Sequence, residues 1–592
     1  MSHRFRLVRA RAIASLGAVA IAVAVIVAVI GVSGGVAAAR SSRPALDRVS
    51  KELAATSPMI PAKMTCAQLQ ADPAFAAIPH FPTAIASVTD VAATATNPEY
   101  CDVQGMIAPQ THFDLKLPVS TWQGRYLQNG CGGYCGSVTP QSFPSCDAQL
   151  GGDFAMATDD EGHTTSAGLG GSGLFGLSQD LRVQYGYLSE HALAVVSKAI
   201  ITAFYGQGPD YSYYNGCSDG GREAMQVAER YPTDFNGVIA GAPEMIAGPL
   251  NAEAQTWDYK VNVGHDGNTI LTADKLPALH AAVMAACAGD DGTNDGIITD
   301  PRGCHFNPAT LQCPAGTNNA NCLTADQVKV VEEYYSGPTD PQGRRLYPGG
   351  LPYGSELTWN TFQIPAQTAN GVPVPGTDSL DYFGLSLPYL RYQLLPAGQL
   401  GPDPSQWQFT DQYFQSMFPS ANTFDAMSVN LKAFRAHGGK LIIWHGWADN
   451  GIPPTGTVDY YMNLERFMGG ARATQAFARL FMFPGEFHCG PGYTNSSFDL
   501  LYPMVQWVEG HTAPTSVIAN DTVNGTALTR PVYPYPYIPR YNGSGDPNSA
   551  SSFHPVLSPE ADQYTNWYGN YLFTTRPLAR TTPASRSGQR RA

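Results

Sequence analysis

Tyr213 to Gly221 reads Y-Y-N-G-C-S-D-G-G, a strand-like run that closes on a G-x-S-x-G pattern, and Gly221 to Arg230 (G-R-E-A-M-Q-V-A-E-R) follows with helical composition and apolar spacing. A serine between a strand and a helix can sit on a sharp turn. Small residues at Gly216 and Gly220 let the chain reverse there and present the Ser218 hydroxyl at the helix N-terminus, where the dipole favours developing negative charge. The plainer reading, a helix start capped by Ser218 or Asp219, accounts less well for the flanking strand. Further out, Phe154 to Thr158, Gly237 to Ala240, Leu441 to Trp444 and Leu480 to Phe483 are apolar runs that read as buried strands, and Ser189 to Tyr205 reads as a helix. Strands alternating with helices predict a parallel sheet covered on both faces.

If Ser218 is a nucleophile, an acid and a base should follow it in the chain, each just past the end of a later strand. Leu441 to Trp444 leads into H-G-W-A-D-N-G and Leu480 to Phe483 into P-G-E-F-H-C-G, which places Asp449 and His488 there. A serine hydroxyl is a poor nucleophile near neutral pH. His488 would take its proton, and Asp449 would hold the imidazole tautomer and stabilise the imidazolium. The competing readings are a loop histidine and a turn-capping aspartate; His163 and His445 are weaker candidates for the base. The pattern predicts an α/β-hydrolase fold with Ser218, Asp449 and His488 as catalytic residues. Cys217 precedes Ser218 and Cys489 follows His488, so a disulfide between them would join the two loops. For an oxyanion, the Asp219 amide and an amide of the G-C-G-G-Y-C-G loop, Gly132 or Gly133, are the candidate donors, although such glycines also suit a plain turn.

The chain has 592 residues, 43% of them hydrophobic and 14% charged, with 60 Gly and 46 Pro, which fits a loop-rich globular protein. A formal net charge of −13 disfavours nucleic acid, whose phosphates call for clustered cations. A basic start (M-S-H-R-F-R-L-V-R-A-R), an apolar stretch from Ala12 to Val32 and A-A-A at Ala37 to Ala39 read as an export signal over residues 1–39. If retained, it would be a membrane anchor; in either case the body is expected outside the cytoplasm. Eleven cysteines with no C-x-x-C pair suit disulfides better than zinc. The helix-strand alternation runs over residues 40–243 and 437–577, and is interrupted over residues 244–436 by irregular Cys-, Pro-, Gly- and Tyr-rich sequence, an expected inserted lid domain. Residues 578–592 read as a disordered tail.

Asp290 to Asp300 reads D-D-G-T-N-D-G-I-I-T-D. Carboxylates at Asp291 and Asp295, with the Thr293 and Ile297 carbonyls, could hold a structural Ca2+, although the spacing is not that of an EF-hand and a metal-free Asx-turn loop is the alternative.

With these segments in view, the chain resembles the tannase and feruloyl esterase family, which includes mono(2-hydroxyethyl) terephthalate hydrolases. The resemblance rests on G-C-S-D-G-G, H-G-W-A-D, G-E-F-H-C-G, the loop between Cys287 and Cys304, and R-P-V-Y-P-Y-P at Arg530. It implies a lid between serine and aspartate, a lid calcium, and pairing of Cys217 with Cys489, Cys287 with Cys304, Cys313 with Cys322 and Cys66 with Cys101. Cys131, Cys135 and Cys146 are left as one pair and one free thiol. Two positions depart from the family pattern. Ala288 stands where an aspartate ligand is common, with Asp290 the candidate to take its place, and Tyr533 stands where many relatives have a cysteine. The resemblance implies a small-molecule aromatic ester substrate, feruloyl first, with galloyl and terephthalate monoesters as alternatives. A non-catalytic binding protein or a peptidase on the same fold are readings of other classes. Arg391, in L-P-Y-L-R-Y, is a candidate partner for a terephthalate carboxylate.

Overall fold

The apolar runs become strands of one nine-stranded sheet: β1 (Thr83–Val91), β2 (Tyr100–Ile107), β3 (Thr111–Pro118), β4 (Arg125–Asn129), β5 (Phe154–Asp159), β6 (Tyr211–Cys217), β7 (Gly237–Gly241), β8 (Lys440–Gly446) and β9 (Ala478–Phe483). The computed structural model describes residues 58–144, 152–165, 173–365, 379–494, 496–523 and 525–573. The expected export segment, Cys146 and the tail from residue 578 lie outside them. The strand order is β1-β2-β3-β5-β4-β6-β7-β8-β9. Pairing is antiparallel from β1 to β5 and parallel from β5 through β9.

Side-chain alternation along the parallel strands feeds two cores. Tyr214, Val238, Ala240, Leu441, Ile443 and Leu480 face one side, where they meet Leu193, Val196 and Ile200 of α1 (Ser189–Tyr205) and Met225 and Val227 of α2 (Asp219–Arg230). Tyr213, Ile239, Ile442, Trp444 and Phe481 face the other, against Met504, Val505 and Trp507. Burial on both faces is why these strands read as continuous apolar runs. The antiparallel strands β1 to β3 were not expected. Half of β1 is open to solvent at the sheet edge, so its sequence carries little hydrophobic pattern.

Residues 242–439 lie between the neighbouring strands β7 and β8. They build a third core of their own from Leu276, Leu279, Val283, Val331, Tyr334 and Trp359. The described residues of this insertion nevertheless belong to the same compact unit as the sheet. Past β9, two small antiparallel pairs follow, β10 (Val517–Val523) with β11 (Thr526–Val532) and β12 (Tyr537–Tyr541) with β13 (Phe553–Leu557). No helix among the described residues is long and apolar enough to cross a membrane.

Candidate active site

Strand β6 ends at Cys217 and α2 begins at Asp219, leaving Ser218 alone on the turn with φ 67° and ψ −121°. Such a backbone costs a non-glycine residue on the order of 1–3 kcal/mol and persists only where its surroundings hold it. Here the Ser218 amide donates to the Gly241 carbonyl at 3.0 Å, and the Ser218 carbonyl accepts from the Arg222 and Glu244 amides at 3.1 Å each. The flanking glycines are required by close approach. A Cβ on Gly216 would strike the Gly220 carbonyl, and one on Gly221 would strike the Gly241 carbonyl.

Loops after β8 and β9 bring the other two residues to this serine. His488 Nε2 accepts from Ser218 Oγ at 2.8 Å, and His488 Nδ1 donates to Asp449 Oδ2 at 2.8 Å. Asp449 is fully buried; its Oδ1 accepts from the Gly451 and Ile452 amides at 2.8 and 2.9 Å. His445 lies behind it with Nε2 3.1 Å from Asp449 Oδ2 and 2.9 Å from the Ile452 carbonyl. A carbonyl only accepts, so Nε2 carries the proton and Nδ1 accepts from Thr457 Oγ1 at 2.8 Å. Burial alone would raise the Asp449 pKa. The charge and hydrogen bonds of His488 and His445 outweigh it and hold Asp449 well below the usual carboxylate range. Thus His445, a weak candidate for the base, stands behind Asp449 and not beside Ser218. His163 sits elsewhere, buried against Phe175 with Nε2 donating to the Tyr134 carbonyl at 2.7 Å.

The loops are also tied together. Cys217 and Cys489 form a disulfide with Cα atoms 6.0 Å apart, and the Ala448 amide donates to the Glu486 carbonyl at 3.0 Å. Cys131 pairs with Cys135, enclosing Gly132 and Gly133 in a small ring, while Cys66–Cys101, Cys287–Cys304 and Cys313–Cys322 complete the bridges of the described residues. A second device went unread in the sequence: Arg222, fully buried, donates from Nε to Asp219 Oδ1 at 2.5 Å and from its other nitrogens to the Gly186 and Tyr185 carbonyls at 3.0 Å each. It fixes the first turn of α2, whose leading amides have no partner within the helix.

A cavity of about 230 Å³ opens beside Ser218 and His488. Gly132 and Gly133 line it from the β4 loop, Gly451 and Ile452 from the β8 loop, and Leu250, Gln255, Phe362, Leu380 and Leu385 from the insertion. Phe362 stands edge-on to the His488 ring, with centroids 5.6 Å apart. A Cβ on Gly132 would meet nothing within 4 Å, so that backbone faces open space. The cavity wall also holds Glu244, at the start of the insertion. Arg391 is not in that wall; its Nη1 donates to the Gly401 carbonyl at 2.8 Å.

The acidic loop lies away from this cavity. Asp291 Oδ1 accepts from the Thr293 amide at 2.7 Å, and Asp295 Oδ2 accepts from Arg530 Nη2 on β11 at 2.7 Å. Arg530 Nε is 4.0 Å from Asp291 Oδ2, so one guanidinium faces two carboxylates. Burial, and then the charge of Asp295, raise the Asp291 pKa. Two carboxylates facing one guanidinium are short of positive charge, and carboxylate oxygens are the donors calcium takes. Asp290 is held by a different set of donors: its oxygens accept from the Thr299 and Asp300 amides at 2.9 and 3.2 Å.

Comparison with known proteins gives a family profile, described as tannase and feruloyl esterase, that matches residues 93–556. A mono(2-hydroxyethyl) terephthalate hydrolase from Piscinibacter sakaiensis is 32% identical over 79% of this chain and 86% of its own. A probable feruloyl esterase from Arthroderma benhamiae is 32% identical over 74% of this chain and 81% of its own. Among solved structures, feruloyl esterase B from Aspergillus oryzae superposes with a TM-score of 0.69 at 24% identity, covering 83% of this chain and all of that one, and so shares its fold.

Proposed function

The chain belongs to the tannase and feruloyl esterase family and is a carboxylic ester hydrolase, and we propose that it cleaves esters of aromatic acids, feruloyl-type esters first, through an acyl-enzyme on Ser218. The observation that carries this reading is the unbroken relay from Asp449 through His488 to Ser218 Oγ at the mouth of a small, largely apolar cavity. At about 230 Å³ the cavity is below the range of drug-sized pockets and suits a single aromatic ring.

Ser218 Oγ attacks the ester carbonyl as its proton passes to His488 Nε2. The resulting oxyanion is met by the Asp219 amide and by an amide of Gly132 or Gly133. Collapse of the tetrahedral species breaks the bond to the alcohol, which leaves with the proton from His488. Water, deprotonated by His488, then attacks the acyl group and frees the acid and Ser218. Asp449 stays ionised throughout and stabilises the imidazolium, a role its depressed pKa supports.

Calcium held by Asp291, Asp295 and the carbonyls of Thr293 and Ile297 completes the reading as a structural ion that would stiffen this loop. The basic, then apolar, N-terminal sequence and the disulfides support a place of work outside the cytoplasm.

The test is steady-state hydrolysis of methyl ferulate, methyl gallate and mono(2-hydroxyethyl) terephthalate by the purified protein, with Ser218→Ala as control. Turnover of at least one ester of a hydroxylated aromatic acid, lost in the variant, is the expected result. A folded wild-type protein silent on all three would refute the aromatic assignment.

A further inference from the structure

Glu244 is the carboxyl group of the cavity wall, and the chemistry assigned to the triad does not use it. The wall around it is made of glycines, the Cys217–Cys489 bridge, Leu250, Phe362, Leu380, Leu385 and Ile452, with no lysine or arginine among the described residues. Glu244 is half-buried and anchored at both ends: its amide donates to the Ser218 carbonyl at 3.1 Å, and its Oε1 accepts from Asn251 Nδ2 at 2.5 Å. No described residue donates to its Oε2. The cavity wall therefore carries one carboxyl oxygen, Glu244 Oε2, whose hydrogen-bonding capacity no described residue fills. A polar group so placed in a site favours a ligand that pairs with it.

We propose that Glu244 is the specificity-determining element of the acyl site, and that it recognises a hydroxyl group on the aromatic ring and disfavours a ring carboxylate. This rests on the reading that the acyl group occupies the cavity beside Ser218. Glu244 Oε2 can accept from a ring hydroxyl. Burial, and then the neighbouring charge of Asp219, push the Glu244 pKa up to about 8, so near neutral pH the group is largely a neutral acid, able to donate as well. A ring carboxylate would lose its hydration in a wall that holds no lysine or arginine to pair with it, and that desolvation goes uncompensated.

The experiment compares kcat/KM for three methyl esters that differ only at the ring: the unsubstituted acid and its 4-hydroxy and 4-carboxy derivatives. They are taken in the series, cinnamate or benzoate, that the enzyme hydrolyses faster. For the wild type the order should be hydroxy, unsubstituted, carboxy. In Glu244→Leu, with folding checked by circular dichroism, the hydroxy-to-unsubstituted ratio should fall about tenfold, the worth of one hydrogen bond. Glu244→Ala, which removes donor and acceptor alike, supplies the same readout if the leucine variant does not fold. A ratio unchanged in the folded variants, or a wild type that prefers the 4-carboxy ester, overturns the assignment of Glu244. Failure of the wild type to hydrolyse either series instead refutes the aromatic reading on which it stands.

Discussion

Asp449 carries the residue-scale argument, because a buried carboxylate stays charged only while its four hydrogen bonds hold. Removing the His445 donor leaves Oδ2 with His488 alone, and hydrogen bonds to charged groups contribute about 1.5–3 kcal/mol. His445→Ala is therefore expected to lower kcat by on the order of tenfold or more with little change in KM, because the lost interaction strengthens as His488 becomes charged. His445→Gln, which keeps an N–H donor, should recover part of the loss. Unchanged kcat in the alanine variant would remove His445 from the account. The sequence pointed to Ser218, Asp449 and His488 because each follows a strand directly and the fold fixes their chain order. His445 and Asp449 are four residues apart in the chain, but that spacing does not tell whether the histidine competes for the serine or stands behind the aspartate. Glu244 gave no signal, since its meaning lies in the cavity it lines.

Among the elements, the acidic loop and β11 form the pair least visible in the sequence. Arg530 meets Asp295 across 235 residues of chain, and β10 and β11 are short, half-exposed strands whose partners no local pattern names. The carboxylate spacing did mark the loop itself. Only the fold, however, shows that Asp291 and Asp295 share Arg530 while Asp290 accepts from the Thr299 and Asp300 amides. If calcium sits there, saturating it at 100 times its Kd stabilises the protein by about 2.7 kcal/mol. EGTA should then lower the Tm by several degrees, reversibly on adding calcium, and leave kcat of the still-folded protein at 25 °C unchanged. A Tm indifferent to EGTA and to added calcium would leave Arg530 as the sole counter-charge.

For the whole molecule, burying carboxylates shapes the response to pH. Burial pushes Asp425, Asp459 and Glu486 up to about 7 and Asp153 to about 8. A carboxyl with a raised folded-state pKa contributes stability that is fully present below its unfolded value, roughly 4, and is lost as pH rises through the folded value. Asp449 works in the opposite sense, and its contribution is lost only as pH falls below roughly 4. Thermal melts should therefore show the highest Tm near pH 5 and a steady decline toward pH 8. A Tm that rises over that interval would contradict the burial argument. At this scale the parallel half of the sheet was legible because its strands are buried on both faces. The roof of the cavity was not, since Leu250, Phe362 and Leu385 come together from distant, irregular stretches of the insertion. All scales meet in one claim, that an aromatic acyl group is transferred to Ser218 within this cavity. Rapid acid quench during turnover of the best aromatic ester, followed by mass spectrometry of the peptide containing Ser218, tests it directly. The account predicts an adduct of the acyl mass on Ser218, with both adduct and turnover lost in Ser218→Ala; an adduct on another residue, or turnover that survives the substitution, would contradict it.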